Sequence, residues 1–427
     1  MGKFPEGFLW GAATAAHQVE GNNINSDLWV MEHIPGSSFK EPSGDACDHY
    51  RLFRSDIQMI KDLGLNAYRF SIEWARIEPE QGFFSKAALA HYREVLETCH
   101  ELGITPMITL HHFSSPRWLM RLGGWEGGET PERFARYCQV VAQELGELMP
   151  YVCTINEANI TVIIRQMIAA AQRNVKAQAP IGVETQHTED PRAAFALNAA
   201  QAFNTTPEHV KPFLFAYSSD SQRIVMEAHE RGRDAIKAAN PNSQVGLTIA
   251  IYDVQALPGG EAQAEAMREE IFYSYLPACQ GDDFLGVQNY SRKRVGPEGP
   301  LGNEEGVETT QMGYEFYPDA LEAVLRMVSQ HFKQPIMVTE NGIATSDDSR
   351  RTEFIRRALS GVQRCLADGL DVRGYFHWTL LDNFEWTLGY RPTFGLVAVD
   401  RETQQRSIKE SAYYLGRIAC NNSFPGY

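Results

Sequence analysis

Two carboxylates end apolar runs of the kind that fill buried strands: Glu340 in PIMVTENGIA (335–344) and Glu157 in PYVCTINEAN (150–159). One such Glu alone reads as a helix cap or a structural ion pair. Here the two are joined by Gln18, Arg69, His112, Asn156, Tyr290 and Trp378, each placed near the end of a β-rich run. Together these residues fit a polar mouth lined by amide, imidazole, guanidinium, phenol and indole groups. Paired carboxylates across such a mouth suit cleavage of a glycosidic bond, one as acid/base and the other as nucleophile or base. A separation of about 5–5.5 Å would retain configuration and one of about 6.5–9.5 Å would invert it, a distance that sequence alone does not supply. A metal reading of His111-His112 is disfavoured, because neighbours on a strand point to opposite faces. His49, His91, His100 and His229 read as helix-face or packing residues.

The elements that must position these groups repeat one grammar of amphipathic helix, short break and β-rich run. In YRLFRSDIQMIKDLG (50–64) the apolar residues at 53, 57, 60 and 63 mark a helix face, and Gly64 suits the position past its end. Strands are predicted in FLWGAAT, NAYRFSI, ITPMITLHH, PYVCTINEAN, SQVGLTIAIY, DDFLGVQNY, PIMVTENG and LDVRGYFHWTLLDN. Eight alternating units without a break in composition predict an α/β chain forming a single (β/α)8 TIM barrel over residues 1–427, one catalytic domain. The rival, an open doubly wound sheet, lacks a G-x-G-x-x-G after any strand. Long polar connections at 181–220 and 296–316 are expected as βα loops over the C-terminal mouth.

Composition narrows the partners. With 39 Lys plus Arg against 54 Asp plus Glu, the formal charge of −15 disfavours nucleic acid and anionic membrane surfaces. The densest basic cluster, Arg292-Lys293-Arg294, reads as a solvated rim. The most apolar window, ITVIIRQMIAAA (160–171), is interrupted by Arg165 and too short to span a bilayer, so it reads as a core or cleft-lining helix. MGKFPEGFLWGAAT carries no export-signal pattern, and seven scattered cysteines without a C-x-x-C pair suit a reducing cytoplasm. Self-association is left open.

The motifs as a set resemble glycoside hydrolase family 1, the β-glucosidase and β-galactosidase group. FPEGFLWGAATAAHQVEG resembles its N-terminal signature, TLHHFSSPRWL its third-strand segment and TINEAN its acid/base motif. VTENG resembles its nucleophile motif and HWTLLDNFEWTLGY its sugar-binding segment. The resemblance implies a retaining double displacement without cofactor or metal, with Glu340 as nucleophile and Glu157 as acid/base. It implies that Arg69 and Tyr290 hold Glu340 ionised and that Asn156 meets the sugar 2-hydroxyl. It assigns Gln18, His112, Asn156, Trp378, Glu385, Trp386 and Phe394 to a small-molecule β-glycoside or oligosaccharide. Glu385 stands where phosphoglycoside-cleaving members usually carry Ser, which favours an unphosphorylated sugar. Glu157 stands where plant thioglucosidases carry Gln, which favours O-glycosides.

Five positions depart from the family pattern. Ala158 replaces the usual Pro, predicting a less restrained loop after Glu157. Gln288-Asn289 replaces Asn-Tyr, Phe113 replaces Trp, and Thr393 replaces Arg. These are expected to shift affinity and sugar preference with the chemistry intact. The resemblance leaves open a transglycosylase using the same site and a catalytically idle binding relative.

Overall fold

The computed structural model describes residues 2–168 and 191–424. Its centre is a closed barrel of parallel strands in sequence order: β1 (Leu9–Ala13), β2 (Ala67–Ser71), β3 (Thr105–His111), β4 (Tyr151–Ile155), β5 (Gln244–Ala250), β6 (Phe284–Gln288), β7 (Ile336–Asn341) and β8 (Val372–Trp378), with β8 paired to β1. All eight runs expected as strands form them, and the (β/α)8 barrel is the fold.

The strands are nearly continuous runs of buried residues because helices cover their outer face. The covering helices are α1 (His49–Asp62), α2 (Lys86–Glu101), α3 (Thr130–Leu145), α4 (Ser219–Ala239), α5 (Glu261–Ile271), α6 (Ala320–His331), α7 (Asp348–Ala367) and α8 (Glu410–Asn421). On α1 the buried residues Phe53, Ile57 and Ile60 form the expected stripe. Gly64 follows at φ +83°, where an added Cβ would lie 2.1 Å from Cys420 Sγ, so the turn into β2 demands glycine twice over. Side-chain caps begin several helices: Ser85 accepts from Ala88 N before α2, and Ser218 from Ser221 N before α4.

Two apolar clusters follow from this layering. The larger lies between strands and helices; the smaller fills the barrel lumen with Leu9, Ala67, Met107, Cys153, Phe284, Met337 and Phe376. The lumen is therefore a plug of side chains, and any ligand must sit above it at the strands' C-terminal ends.

Several connections differ from their expected form. Arg292–Gly296 is a strand of a small three-stranded sheet with Asp253–Ala256 and Gly299–Pro300. Arg292 makes two bonds to the Glu315 carboxylate at 2.9 and 2.8 Å, and Arg294 pairs with Glu304. The basic cluster is thus half-buried, with its two arginines ion-paired and the sheet rather than solvent taking its backbone. Within the expected 181–220 loop, residues 181–190 lie outside the described residues, while Pro191–Phe203 is a helix. Residues 160–168 are helical as expected; 169–171 lie outside the described residues. No helix among the described residues is long and apolar enough to cross a membrane, and all seven cysteines are free.

Candidate active site

A cleft of about 400 Å³ opens at the C-terminal mouth, within the ordinary size range of ligand pockets. Its lining includes Glu157, Glu340, Asn156, His112, Tyr290, Trp378, Glu385, Trp386 and Phe394.

Glu340 is the penultimate residue of β7, and the strand slips register against both neighbours between Val338 and Asn341. Such a bulge re-aims a side chain, here at the point where the strand meets the mouth. Gly342 follows because an added Cβ would sit 1.9 Å from the Trp378 carbonyl oxygen, so the close approach of β7 and β8 excludes any side chain. Glu340 is buried to 3% exposure and gripped twice. Arg69 Nη1 donates to its Oε1 at 2.6 Å, and the Tyr290 hydroxyl donates to its Oε2 at 2.5 Å. Arg69 lies in the middle of β2 rather than at its end, fully buried above the lumen plug, so its guanidinium rises to the carboxylate from below.

Glu157 follows β4 at φ +43°, a left-handed conformation costly for a non-glycine residue. Its backbone N–H donates to Thr248 Oγ1 at 3.0 Å, and the Ala158 N–H donates to the Thr248 carbonyl at 3.0 Å. Asn159 fastens the next residue: its Nδ2 donates to the carbonyls of Ala250 at 2.6 Å and Ile271 at 2.7 Å, and its Oδ1 accepts from Ala250 N at 3.0 Å. The looser loop expected from Ala158 is therefore not what the structure has. The Ala158 amide, which proline would lack, is one of the anchors.

The electrostatics separate the two carboxyls. Burial pushes Glu157 well above the ordinary range; the negative charge of Glu340 adds to the push, and only Arg69 opposes it. No hydrogen bond or ion pair reaches the Glu157 carboxyl among the described residues. Burial also raises Glu340, but Arg69 and the Tyr290 hydrogen bond work against it. The expectation of an ionised Glu340 therefore rests on these two partners, which oppose the effect of burial.

The remaining polar residues present unused hydrogen-bonding capacity. Asn156 Oδ1 accepts from Arg69 Nη2 at 2.5 Å and from Gln288 Nε2 at 2.8 Å, which fixes the amide so that its buried Nδ2 has no partner in the protein. His112 Nδ1 and Gln18 Oε1 are likewise buried without one. Burial keeps the His112 imidazole neutral, its pKa well below 6.5, so it both donates and accepts. Gln18 Nε2 donates to the Phe384 carbonyl at 2.7 Å and reaches Glu385 Oε2 at 3.4 Å. Trp378 and His112 stack at 5.6 Å, Trp386 and His112 at 6.0 Å, and Phe394 packs edge-on against Tyr290. Donors and acceptors beside flat aromatic faces suit a sugar ring, which offers hydroxyls at its rim and C–H groups on its faces.

Every residue expected at the site from sequence is in or beside this cleft. Two supporting contacts had no visible signal. Gln288, noted only as a departure, orients Asn156. His17 stacks under Trp386 at 5.9 Å and is held by buried Glu32 at 2.6 Å. The departures at Phe113, Asn289 and Thr393 are also accommodated: Phe113 packs on Trp386 and Phe213, Asn289 Nδ2 bonds the Ile251 and Ser291 carbonyls, and the Thr393 backbone accepts from Arg351. His111 turns away from the cleft to Ser115 and Trp125, so the two adjacent histidines do point to opposite sides. Among the described residues one buried group, His229, Cys279 and Asp282, converges closely enough to hold a metal. It lies beside the start of β6, away from the mouth; Thr154 engages His229 Nδ1, and Arg233 and the Leu247 amide engage the two Asp282 oxygens.

A TIM barrel with two unlike carboxyls at a sugar-shaped mouth defines a glycoside-cleaving hydrolase. The chain belongs to glycosyl hydrolase family 1, whose profile matches residues 1–278 and 272–424. It is 32% identical over 459 residues to a 1,4-beta-D-glucan glucohydrolase of Thermotoga neapolitana, covering 99% of each chain. It is 30% identical over 470 residues to a bifunctional beta-D-glucosidase/beta-D-fucosidase of Bifidobacterium breve, covering 98% of this chain and 99% of that one. The crystal structure of beta-glycosidase BGL167 superposes with a TM-score of 0.90 at 49% identity, covering 99% of both chains.

Proposed function

We propose that this protein is a retaining β-glycosidase for unphosphorylated β-O-glycosides, with β-glucosides preferred and β-fucosides and β-galactosides accepted. The observation that carries the reading is the unequal treatment of the two buried carboxyls: Glu340 is held by Arg69 and Tyr290, whereas Glu157 has no such partner and burial, with the Glu340 charge, raises its pKa.

In the first step a Glu340 oxygen attacks the anomeric carbon as the glycosidic C–O bond breaks. Glu157 gives its proton to the departing oxygen. The product is a glycosyl ester on Glu340, and esterification removes that residue's negative charge. The main charge that held the Glu157 pKa up is then gone, so Glu157 ionises readily and takes a proton from water as the water oxygen attacks the same carbon. Free sugar leaves with its configuration retained, and Glu340 returns to its carboxylate. Asn156 Nδ2, buried without a partner in the protein, is the donor this reading gives to the 2-hydroxyl, a contact that strengthens as charge develops at the anomeric carbon.

Glu385, raised to about 8 chiefly by burial and then by Glu340, pairs with sugar hydroxyls and would repel a phosphate once ionised. Free thiols and an acidic surface further fit a single catalytic domain working in the cytoplasm on small glycosides, without nucleic acid, membrane or cofactor.

The test is release of p-nitrophenol from p-nitrophenyl β- and α-glycosides by the wild type beside Glu340→Gly. The expected result is release from β-glycosides, lost in the variant and restored by azide as the α-glycosyl azide. A well-folded wild type that releases nothing from any β-glycoside would refute the reading.

A further inference from the structure

Beyond the sugar-binding residues the cleft changes character. The chain leaves Glu157 into helical residues 160–168, and Ile160, Ile163, Ile164 and Met167 from that helix line the cleft. Their spacing puts all four on one face. Leu214 and Phe215 extend the same apolar lining from the connection before α4. Among the described residues of this outer half, the polar functions are hydroxyls: Tyr217, Tyr252, Tyr314 and Thr387. The amide and charged side chains of the lining, Asn156, Gln288, Glu157, Glu340 and Glu385, are those already described at the sugar-binding and reacting end. Arg165 and Gln166 do not line the cleft, and Gln166 bonds Glu270 instead.

The position of this wall relative to the chemistry identifies what meets it. Glu157 gives its proton to the leaving oxygen, so the helix that Glu157 leads into flanks the departing group rather than the sugar being transferred. Tyr252 is close enough to feel the Glu157 charge, which places a further wall residue at the same junction. At the outer end Met167 is 63% exposed, so the wall runs out to solvent. A second sugar here would bring a rim of hydroxyls to a surface with few partners and leave them unpaired, a costly loss. An apolar group would remove the exposed isoleucine and methionine faces from water.

We propose that the natural leaving group is an apolar alcohol, with an alkyl, aryl or polycyclic carbon skeleton, rather than another sugar. The inference rests on the reading of Glu157 as acid/base and Glu340 as nucleophile. The glycosidic oxygen leaves with that alcohol, receiving the Glu157 proton as its bond to the anomeric carbon breaks, and no further reactant is needed.

The experiment compares kcat/KM for n-alkyl β-glucosides from methyl to heptyl with that for cellobiose, keeping the glycone constant. The longer alkyl leaving groups have similar basicity, so a trend along them reports contact with the wall. The expected result is a rise of about fourfold per added methylene, the transfer value for burying one CH₂, and hexyl β-glucoside faster than cellobiose by at least about tenfold. Ile164→Asn is expected to flatten the series and Ile164→Leu to preserve it. If the Asn variant does not fold, the wild-type series decides alone. A flat series, or cellobiose cleaved as well as the hexyl glucoside, while p-nitrophenyl β-glucoside is still hydrolysed, overturns the leaving-group inference and leaves the β-glycosidase reading standing. Failure on p-nitrophenyl β-glucoside as well overturns both.

Discussion

Gln288 Nε2 donates to Asn156 Oδ1 at 2.8 Å, and Arg69 donates to the same oxygen at 2.5 Å. With its oxygen taken twice, Asn156 must turn its NH₂ group away from these donors, and that nitrogen has no partner in the protein. A residue on β6 thus sets the direction of a donor that follows β4.

Replacing Gln288 by Leu should free the Asn156 amide to rotate. We expect kcat/KM for p-nitrophenyl β-glucoside to fall about 10- to 100-fold, the range for loss of one or two buried hydrogen bonds. The loss should be several-fold smaller with the 2-deoxyglucoside, because the proposed role of the misplaced donor is to serve the 2-hydroxyl. Equal losses on both substrates would show that Gln288 acts only through folding.

Tyr290→Phe removes the hydrogen bond to Glu340 Oε2 while keeping the ring that packs on Phe394. A bond to a charged group is worth about 1.5–3 kcal/mol, so kcat/KM should drop about 10- to 100-fold. Glu340 loses a partner that lowers its pKa, so the acid limb of the pH profile should also move up. Steady-state profiles of both proteins check this; an unmoved acid limb would contradict it.

The pH dependence follows from the two raised carboxyls. In the proposed mechanism Glu157 must carry a proton for the first step, so activity should fall as pH rises through its pKa. Glu340 must be ionised, so activity should fall as pH drops through its own. The result is a bell whose limbs belong to the pair. With 2,4-dinitrophenyl β-glucoside, whose leaving group needs no proton, Glu157→Gln should lose the alkaline limb and keep the acid one. An alkaline limb that persists would remove Glu157 from the acid role.

Asp27, fully buried behind the site, accepts from the Leu28 and Ser115 amides through one oxygen, while its other oxygen has no partner. Burial raises its pKa from 3.8 to about 7. The folded state therefore holds this proton over a range in which the unfolded chain has lost it. The stability that the proton contributes is complete below pH 3.8 and lost as pH rises towards 7. Asp27→Asn should flatten the fall in stability across that window, by up to about 4 kcal/mol. Urea unfolding of both proteins at pH 5 and pH 7 measures it; parallel slopes would refute it.

The sequence by itself determined the barrel and singled out the two carboxyls at its mouth that the proposed mechanism uses. Strand and helix patterns are local: a run of buried β-branched residues, a stripe such as Phe53, Ile57 and Ile60, and a glycine at a helix end are all visible within about ten residues. Glu340 and Glu157 stood out because a carboxylate ending such a run conflicts with its surroundings, and such conflicts mark functional sites. Only the tertiary structure decided which atoms meet. Barrel closure brings Arg69 of β2, Gln288 of β6 and Asn156 after β4 to one oxygen, and that convergence depends on register, on the β7 bulge and on where each side chain clears the lumen plug. Ala158 shows the limit of reading residue by residue: its effect on the loop turned on Thr248 and Asn159, which hold the backbone at Glu157. The isoleucines of 160–168 could have faced the core or a ligand, since both are apolar surroundings. Helical periodicity fixes which residues share a face, and only the packed fold decides what that face looks out on.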